Sequence, residues 1–332
     1  MSTLYITQQD SVLRKVDERL KVTQNGETLI DIPLIKVTQV ILFGRVTVTP
    51  ATVAVLMEHG IGLCYLSPYG RYIGRLEPEF SKNSLLRVDQ WRAGFDEQRK
   101  LAIARQFVSG KLGNMRVMLL RAQREQESPE IARAIDRIKS AERAAEGVQD
   151  LDALRGHEGE GSAAYFAVFG HLLKQDFAFP ARVRRPPTDP VNALLSFGYT
   201  LLYNDLHSAC NVVGFDPYIG YLHADRYGRA NLALDLMEEF RPLIVDSVVL
   251  LCINKRILQQ DDFVVEMGEA HRLSDAGRKQ FLLQYEERKQ TEFRHPTFGY
   301  RITYLRCFEL QARLLAKHLQ GELDTYPPLL TK

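Results

Sequence analysis

The spacing of apolar residues changes near Glu79, and this change constrains the fold more than any other feature of the 332-residue sequence. From Leu4 to Ile73, the apolar residues form short runs rich in Val, Ile, Thr and Tyr, separated by turn residues, which is typical of β-strands. After Glu79, long stretches follow the helical period instead. We therefore predict an α+β chain with segregated domains, a β-strand domain at residues 1–83 followed by a mainly α-helical domain at residues 84–332.

Turn residues in the first domain predict a hairpin. Asn25-Gly26 lies between the strand candidates 19–22 and 28–32, and this dipeptide suits the positive φ angles of a tight turn. Thr49-Pro50 predicts the start of a helix at residues 50–59, because a hydroxyl can cap the first backbone N–H groups and proline suits the first helical position. The further strand candidates are residues 4–6, 12–16, 39–43, 62–66 and 72–76.

Amphipathic helices dominate the second domain. Residues 96–124 form one long helical pattern, and Asp189-Pro190 and Gly214 mark the start and end of another at residues 190–213. Residues 263–267 and 270–273 predict a small hairpin, after which Ser274 caps a helix that runs towards Lys289. The tail at residues 324–332 has two prolines and little periodicity, which is typical of a disordered segment or of one that contacts a partner.

Composition places the chain among ordinary globular proteins, and we expect a cytoplasmic one. Apolar residues make up 45% and charged residues 25%, which excludes disordered, collagen-like and coiled-coil chains. The longest apolar stretches are too short to cross a membrane, and the N-terminus lacks the features of an export signal. The four cysteines are far apart, so we expect buried thiols rather than zinc ligands or disulfides.

The net charge is only +2, so binding to a polyanion would need a local basic patch. Residues 96–124 carry seven basic side chains against two acidic ones, and residues 182–187 form a basic, proline-containing connector. The basic helix can present a solvated face, or it can follow a phosphate backbone. The candidates for nucleic-acid contact are Arg116, Arg121, Arg184 and Arg185.

Glycine-rich nucleotide loops (GxGxxG, GxxxxGK[ST]) and a GxSxG nucleophile elbow are absent from the sequence, so candidate chemistry rests on three other segments. In residues 154–166, Glu158 lies among glycines ahead of an aromatic-bearing helix. In residues 214–223, His223 ends a short apolar run at the edge of packed structure. In residues 232–242, the three-residue spacing of Asp235 and Glu238 places both on one side of a helix.

Each segment also has an ordinary structural explanation. Glu158 can be a first-turn acid that interacts favourably with a helix dipole, and His223 can be a hydrogen-bonded structural histidine. Asp235 and Glu238 repel each other unless a cation lies nearby. The candidates for that cation are Arg226, Arg229, Arg241 and a divalent metal.

Considered together, the three segments suggest a metal site. A glutamate, a histidine and a second carboxylate on separate elements are a workable ligand set for one divalent ion that keeps open positions for water and substrate. Ligation dominated by oxygen favours Mg²⁺ or Mn²⁺ over structural zinc, and such ions serve phosphoryl chemistry.

Three stretches carry a resemblance to a known family: RGHEGEGSAAYF at 155–166, NALLSFGYTLLYNDL at 192–206 and PYIGYLHADRYGRANLALDLMEEFRP at 217–242. In their order and intervals they resemble the CRISPR adaptation integrase family, the first and most widely distributed of the CRISPR-associated proteins. The resemblance covers essentially the whole chain. A β domain followed by a helical domain agrees with it.

This resemblance implies a divalent metal, Mg²⁺ or Mn²⁺, held by Glu158, His223 and Glu238, with Asp235 and Arg241 as supporting residues. It implies strand transfer, in which the 3′-hydroxyl of a short foreign DNA fragment attacks a phosphodiester at the edge of a CRISPR repeat, and endonuclease activity when water is the nucleophile. It also implies a homodimer assembled through the β domains, in complex with the small second CRISPR-associated protein and bound to double-stranded DNA fragments and CRISPR repeat DNA.

The sequence departs from the family at His157, where many relatives carry an aliphatic residue, and at Glu238, which is an aspartate in some of them. Tyr165, Tyr203 and Tyr218 are candidates for pocket aromatics or for core residues. Two alternatives to an integrase stay open. They are a metal-dependent, structure-specific DNA nuclease without integration and a non-catalytic DNA-binding scaffold.

Overall fold

The computed structural model describes residues 2–79, 81–184, 186–224, 226–265 and 270–331. The chain divides into two compact units, Met1–Phe80 and Ser81–Lys332. The first unit consists mainly of strands and the second mainly of helices, which confirms the predicted α+β class with segregated elements.

Strands of the first unit form two sheets around a shared core. The elements are β1 (Ser2–Ile6), β2 (Ser11–Val16), β3 (Arg19–Gln24), β4 (Glu27–Pro33), β5 (Val37–Phe43), β6 (Val46–Val48), α1 (Pro50–Glu58), β7 (Gly62–Leu66) and β8 (Tyr72–Leu76). One sheet has the order β1-β5-β7-β8 and the other the order β4-β3-β2-β6. Leu13 and Val22 from one sheet and Val40 and Leu63 from the other belong to the same buried cluster.

The predicted hairpin of the first unit is confirmed. Strands β3 and β4 pair antiparallel, and Asn25 and Gly26 adopt φ angles of 50° and 85° in the turn. Helix α1 begins at Pro50, where the Thr49 hydroxyl accepts a hydrogen bond from the Thr52 backbone N–H. The sequence analysis missed β6, because this three-residue strand is defined by parallel pairing with β2 rather than by a local pattern.

The second unit contains α2 (Ser84–Phe95), α3 (Glu97–Glu125), α4 (Pro129–Gly147), α5 (Leu151–Phe169), α6 (Pro190–Val213), α7 (Asn231–Met237), α8 (Ser247–Asn254), β9 (Phe263–Val265), β10 (His271–Leu273), α9 (Asp275–Gln290), β11 (Glu292–Arg294), β12 (Arg301–Thr303) and α10 (Tyr304–Leu319). A 3₁₀ turn at Glu238–Phe240 and a π-helical turn at Pro242–Asp246 link α7 to α8. The core of this unit is formed by α3, α5, α6 and the turns after α7.

Caps fix the ends of the long helices, and those at Asp189, Gly214 and Ser274 were predicted. The Asp96 carboxylate accepts from the N–H groups of the first turn of α3, and Asp189 does the same for α6. Gly214 ends α6 with a φ of 103°, a conformation that glycine adopts without strain. Ser274 caps α9, after the antiparallel pairing of β9 with β10. Residues 266–269 of the predicted hairpin lie outside the described residues.

Helix α5 begins earlier than the glycines of residues 156–161 suggest, so the interpretation of Glu158 as a first-turn acid is wrong. Asp150 caps the helix by accepting from the Ala153 N–H at 2.8 Å. Glu158 therefore lies in the middle of α5. Gly161 serves helix packing, because a Cβ at this position would lie 2.5 Å from Leu112 Cδ2 on α3.

The C-terminal tail is packed against its own unit rather than disordered. Tyr326 and Leu329 are buried, with relative exposures of 1% and 0%. The Asn114 side chain on α3 donates to the Leu329 carbonyl at 2.7 Å and accepts from the Thr331 N–H at 3.0 Å. These hydrogen bonds to a distant part of the chain hold the tail in place, although its sequence shows no helical or strand period.

Cys64, Cys210, Cys252 and Cys307 are all buried thiols, as expected from the sequence. Across the residues that the structure describes, no helix is both long and apolar enough to cross a bilayer.

Candidate active site

Three elements of the second unit bring Glu158 and Glu238 to the side chain of Lys111 and place His223 beside Glu238. Glu158 extends from the middle of α5, and His223 lies in the segment between α6 and α7. Glu238 is the first residue of the 3₁₀ turn after α7. The Arg155 side chain on α5 donates to the Leu222 carbonyl at 2.7 Å, which ties the His223 segment to the helix that carries Glu158.

Lys111 on α3 lies between the two glutamates. Its ammonium pairs with Oε1 of Glu158, and its Nζ is 2.7 Å from Oε2 of Glu238. The Lys111 side chain is only 7% exposed. In the sequence, Lys111 is one of the seven basic residues of the long helical pattern, and its position between the glutamates was not predicted. Its spacing of four residues from the buried Phe107 and Met115 is the signal that places it on the buried stripe of α3.

Asp235 is bound to the segment that carries His223. Its Oδ1 lies 2.6 Å from His223 Nδ1 and accepts from the His223 backbone N–H at 3.0 Å. Its Oδ2 accepts from the N–H groups of Tyr221 and Leu222 at 2.6 and 3.0 Å. A carboxylate on Nδ1 fixes the orientation of the ring, and Nε2 then faces Oε1 of Glu238 at 3.6 Å.

Of the cations proposed from the sequence to relieve the repulsion between Asp235 and Glu238, Arg241 contacts Glu238. Helix α7 ends at Met237, so the two carboxylates serve different partners. Asp235 binds the backbone of the preceding segment, whereas Glu238 Oε1 pairs with Arg241 Nε at 3.0 Å. Arg241 was one of the cations predicted from the sequence. Lys111, which was not, is a second cation in contact with Glu238.

Charges at the site compensate one another despite burial. Desolvation alone would raise the pKa of the Glu238 carboxyl, but Arg241, Lys111 and His223 lower it to about 2. Desolvation also opposes the charged form of Glu158, yet Lys111 holds the pKa of this carboxyl below its ordinary value. Burial similarly disfavours the charged form of Lys111, and the two glutamates nevertheless raise its pKa. Both carboxylates are therefore ionised, and Lys111 is protonated, at neutral pH.

An open cavity of about 490 Å³ is lined in part by Glu158 and Lys111. Its lining combines the charged groups of Lys111, Glu158, Arg182, Arg184 and Arg241 with the ring of Tyr199. The guanidinium of Arg241 lies over this ring, 4.6 Å from its centroid. The cavity thus combines cationic side chains with apolar ones such as Phe166 next to the partly buried Glu158, an arrangement that suits a phosphate-containing ligand.

Behind this cavity, a buried acid anchors Tyr199 of the lining and the neighbouring Tyr165. Asp246 accepts hydrogen bonds from the hydroxyls of Tyr199 at 2.6 Å and Tyr165 at 2.9 Å. Burial raises the pKa of the Asp246 carboxyl to about 6, against the lowering effect of these hydrogen bonds. The sequence analysis did not identify Asp246 or Tyr199, because their pairing depends on the packing of α6 against the π-helical turn.

The tyrosines and the histidine that the sequence also suggested differ in burial and in contacts. Tyr165 is fully buried, Tyr203 packs its ring near His207, and Tyr218 is half-exposed. His157 Nδ1 lies 3.8 Å from Glu160 on the exposed side of α5.

The four arginines predicted to contact nucleic acid have different surroundings. Arg184 lines the cavity, whereas the Arg116 guanidinium pairs with Glu142 at 2.7 Å. Arg121 lies close enough to Arg288 to affect its protonation. Arg185 lies outside the described residues.

The donor types at the site suit a hard divalent ion. Two carboxylates and an imidazole Nε2 are ligands for Mg²⁺ or Mn²⁺, and the ammonium of Lys111 already marks a position favourable to a cation. Among the described residues, however, no three His, Cys, Asp or Glu side chains converge as a ready metal site. The ammonium of Lys111 contacts both glutamates instead.

Comparisons with known proteins all identify the same family. The family model described as CRISPR associated protein Cas1 matches residues 4–287. The chain is 42% identical to CRISPR-associated endonuclease Cas1 3 of Thermus thermophilus over 334 residues, which cover 100% of this chain and 98% of the relative.

Solved structures show the same similarity. A CAS1 protein from Thermotoga maritima superposes with a TM-score of 0.83 at 26% identity, covering 97% of each chain. A chain of a Cas6-RT-Cas1–Cas2 complex superposes with a TM-score of 0.83 at 27% identity, covering 99% of this chain and 36% of that one.

Proposed function

The chain belongs to the Cas1 family of CRISPR-associated proteins, and from this premise we propose that it is a divalent-metal-dependent DNA integrase and endonuclease. Its substrates would be short foreign DNA fragments and the repeat DNA of a CRISPR array, in the cytoplasm. The observation that carries the proposal is the cluster around Glu238, whose carboxylate lies beside His223 and shares the Lys111 ammonium with Glu158 at the edge of a cationic cavity.

Glu158, His223 and Glu238 are the proposed ligands of Mg²⁺ or Mn²⁺. When bound there, the ion would polarise the scissile phosphate and stabilise the negative charge that develops during phosphoryl transfer. Asp235 supports the site by holding Nδ1 of His223, so that the other ring nitrogen faces Glu238. Arg241 supports it by pairing with Glu238 while its guanidinium stacks on Tyr199.

The proposed reaction is a direct transesterification. The 3′-hydroxyl oxygen of the fragment attacks a phosphorus atom at the repeat edge, forming a new P–O bond as the bond to the repeat 3′-oxygen breaks. The hydroxyl proton is lost and the released 3′-oxygen gains a proton, so the number of phosphodiester bonds is conserved. Arg182, Arg184 and Arg241 would bind and orient the phosphates, because they line the cavity beside the carboxylates.

A set of cationic residues is proposed to follow the DNA backbone. Arg184 lines the cavity, and the further candidates from the sequence are Arg116, Arg121 and Arg185. Since fragments of arbitrary sequence must be held, these contacts would go to phosphates. Arg121→Glu and Arg184→Glu should weaken DNA binding and flatten its salt dependence, whereas Arg133→Glu on the exposed side of α4 should not. Equal salt slopes in all proteins would remove Arg121 and Arg184 from the interface.

We also propose that the protein acts as a homodimer, joined through its β-strand unit, together with the small Cas2 protein. The support for Cas2 is the relative whose structure is a Cas6-RT-Cas1–Cas2 complex. Size measurement of the purified chain alone and with Cas2 would test both associations.

The decisive experiment is a strand-transfer assay with the protein, Cas2, a short DNA duplex, supercoiled repeat DNA and Mn²⁺. We expect Glu158→Gln and His223→Ala to abolish joined product, while Glu160→Gln, which alters an exposed carboxylate two residues from Glu158, keeps it. Full joining by Glu158→Gln would exclude the proposed site.

Two further arms of the assay separate the alternatives. A fragment with blocked 3′ ends stops an integrase from joining, whereas a nuclease without integration continues to cut. A chelator that changes neither activity nor melting temperature would indicate a non-catalytic DNA-binding scaffold.

A further inference from the structure

We propose that Lys111 and the divalent ion compete for the same space between Glu158 and Glu238, so that binding of the ion displaces the Lys111 ammonium into the adjoining cavity. This inference rests on the proposed metal ligands and adds to them a residue of opposite charge. Lys111 would be a positioning residue, because it acts on the ligands rather than on the DNA.

Lys111 occupies the region between the two proposed glutamate ligands. Its ammonium contacts one oxygen of each glutamate, Oε1 of Glu158 and Oε2 of Glu238. A divalent ion bound to both carboxylates would need the same region. A lone lysine on a helix surface would not restrict metal binding, but this side chain is almost fully buried between the two proposed ligands.

The charges around Glu158 and Glu238 balance without a divalent ion. The carboxylates of Glu158 and Glu238 contribute two negative charges, and Lys111 and Arg241 contribute two positive charges within direct contact. Adding a divalent ion gives an excess of positive charge at short range in a poorly solvated site, where repulsion is strong. One of the two side-chain cations must therefore withdraw.

Lys111 is the cation that can withdraw. Arg241 is held by its stacking on Tyr199 in addition to its contact with Glu238. Lysine carries its charge on a flexible four-carbon chain, and Lys111 already lines the open cavity. Rotation of its terminal bonds would move the ammonium into that cavity without any movement of α3.

The same geometry explains why the chain carries a lysine here. Two buried carboxylates without a counter-ion would repel each other and disfavour the folded site. The Lys111 ammonium relieves this repulsion and keeps Glu158 and Glu238 in position before the ion arrives. The cost is weaker binding of the ion, since the ion pairs of Lys111 must break.

The test compares wild type with Lys111→Met by calorimetric titration with MnCl₂ in the absence of DNA. Methionine has similar length but no charge, so we expect Mn²⁺ to bind about tenfold more tightly to the variant. The melting temperature of the variant should be lower without Mn²⁺ and should rise more than that of wild type when Mn²⁺ is added. Lys174→Met, which breaks an exposed pair with Glu125, should behave as wild type in both measurements.

A second measurement uses the wild-type protein and does not depend on folding of the variant. Amine acetylation followed by peptide mass spectrometry should leave Lys111 protected without Mn²⁺ and modified when Mn²⁺ is present. Lys289, a fully buried lysine paired with Asp205 and Glu286, should stay protected in both conditions and serves as the internal reference.

The outcomes separate this inference from the proposed metal site. If Mn²⁺ binds wild type and this binding is lost in Glu158→Gln, but Lys111→Met binds no more tightly and Lys111 stays protected, competition is excluded while the metal site stands. If neither wild type nor Lys111→Met binds Mn²⁺, both proposals fail. Binding by the variant alone would support competition in its strongest form.

Discussion

The hydroxyl of Tyr326 donates a hydrogen bond at 2.7 Å to Oε1 of Glu239, a residue 87 positions earlier in the chain. Glu239 also accepts from Gln311 Nε2 at 3.0 Å and from the Leu329 N–H at 2.8 Å. Glu239 follows Glu238 directly in sequence. The C-terminal segment is therefore hydrogen-bonded to the same turn that presents a proposed metal ligand.

Tyr326→Phe should destabilise the second unit. The variant removes one of three hydrogen-bond donors to the buried Glu239 carboxyl while Oε1 keeps the hydrogen bond from Gln311, so we expect the loss of one hydrogen bond, about 1–2 kcal/mol. Denaturant unfolding would measure the loss. Tyr227→Phe, at a fully exposed tyrosine, should leave the free energy of unfolding unchanged, and equal stability of Tyr326→Phe and wild type would contradict the role of the tail.

Gly220→Ala should disturb the segment that carries His223. A Cβ at this position would lie 2.6 Å from Asn231 Cβ and 2.7 Å from Asp235 Oδ2, so the segment would have to move away from α7. We expect a loss of joining activity of at least about tenfold, because small displacements at an active site are costly. Gly156→Ala provides the control, since a Cβ there meets nothing within 4 Å and alanine favours a helix. Normal joining by Gly220→Ala would show that this close approach is not required.

Asp235→Asn should reduce activity without altering any proposed metal ligand. The carboxylate accepts three backbone N–H groups and contacts His223 Nδ1, whereas an amide has only one accepting oxygen. We expect Mn²⁺ affinity and joining to fall by about 10–100-fold, the usual effect of losing such a supporting carboxylate. Titration with Mn²⁺ would measure the affinity. Asp10→Asn, in an exposed pair with Arg45, is the matched control, and an unchanged Mn²⁺ affinity in Asp235→Asn would remove Asp235 from the support of the site.

Asp246→Asn should change how stability depends on pH. Burial raises the pKa of the Asp246 carboxyl from 3.8 to about 6, so the folded chain keeps a proton that the unfolded chain loses first. A raised folded pKa contributes stability that is complete below the unfolded pKa and is lost as pH rises through the folded pKa. Wild type should therefore lose up to about 3 kcal/mol relative to the variant as pH rises from 3.8 to 6, with no further change above. Unfolding curves measured across this range would test it, and a constant difference between the two proteins would refute the assignment.

Local sequence patterns predicted part of the fold, whereas α2, α4, α8, α10, β6, β11 and β12 were not predicted. Asn25-Gly26 specified the hairpin turn, and Asp189 and Ser274 specified helix starts, because caps and turns depend on neighbours in the chain. The same reasoning was wrong for the start of α5. There the glycines suggested a loop, whereas the Asp150 cap and close packing against Leu112 keep them helical.

The sequence by itself determined the segregated α+β class, most element boundaries and, through resemblance, the residues Glu158, His223 and Glu238 as candidates. Only the tertiary structure placed Lys111 between the glutamates. It also showed that Asp235 binds the segment of His223 and that the tail packs against α3. The physical reason is that an ion pair between residues far apart in sequence depends on how the elements pack and which side chains they bury. The spacing of residues within one helix or strand does not contain this information.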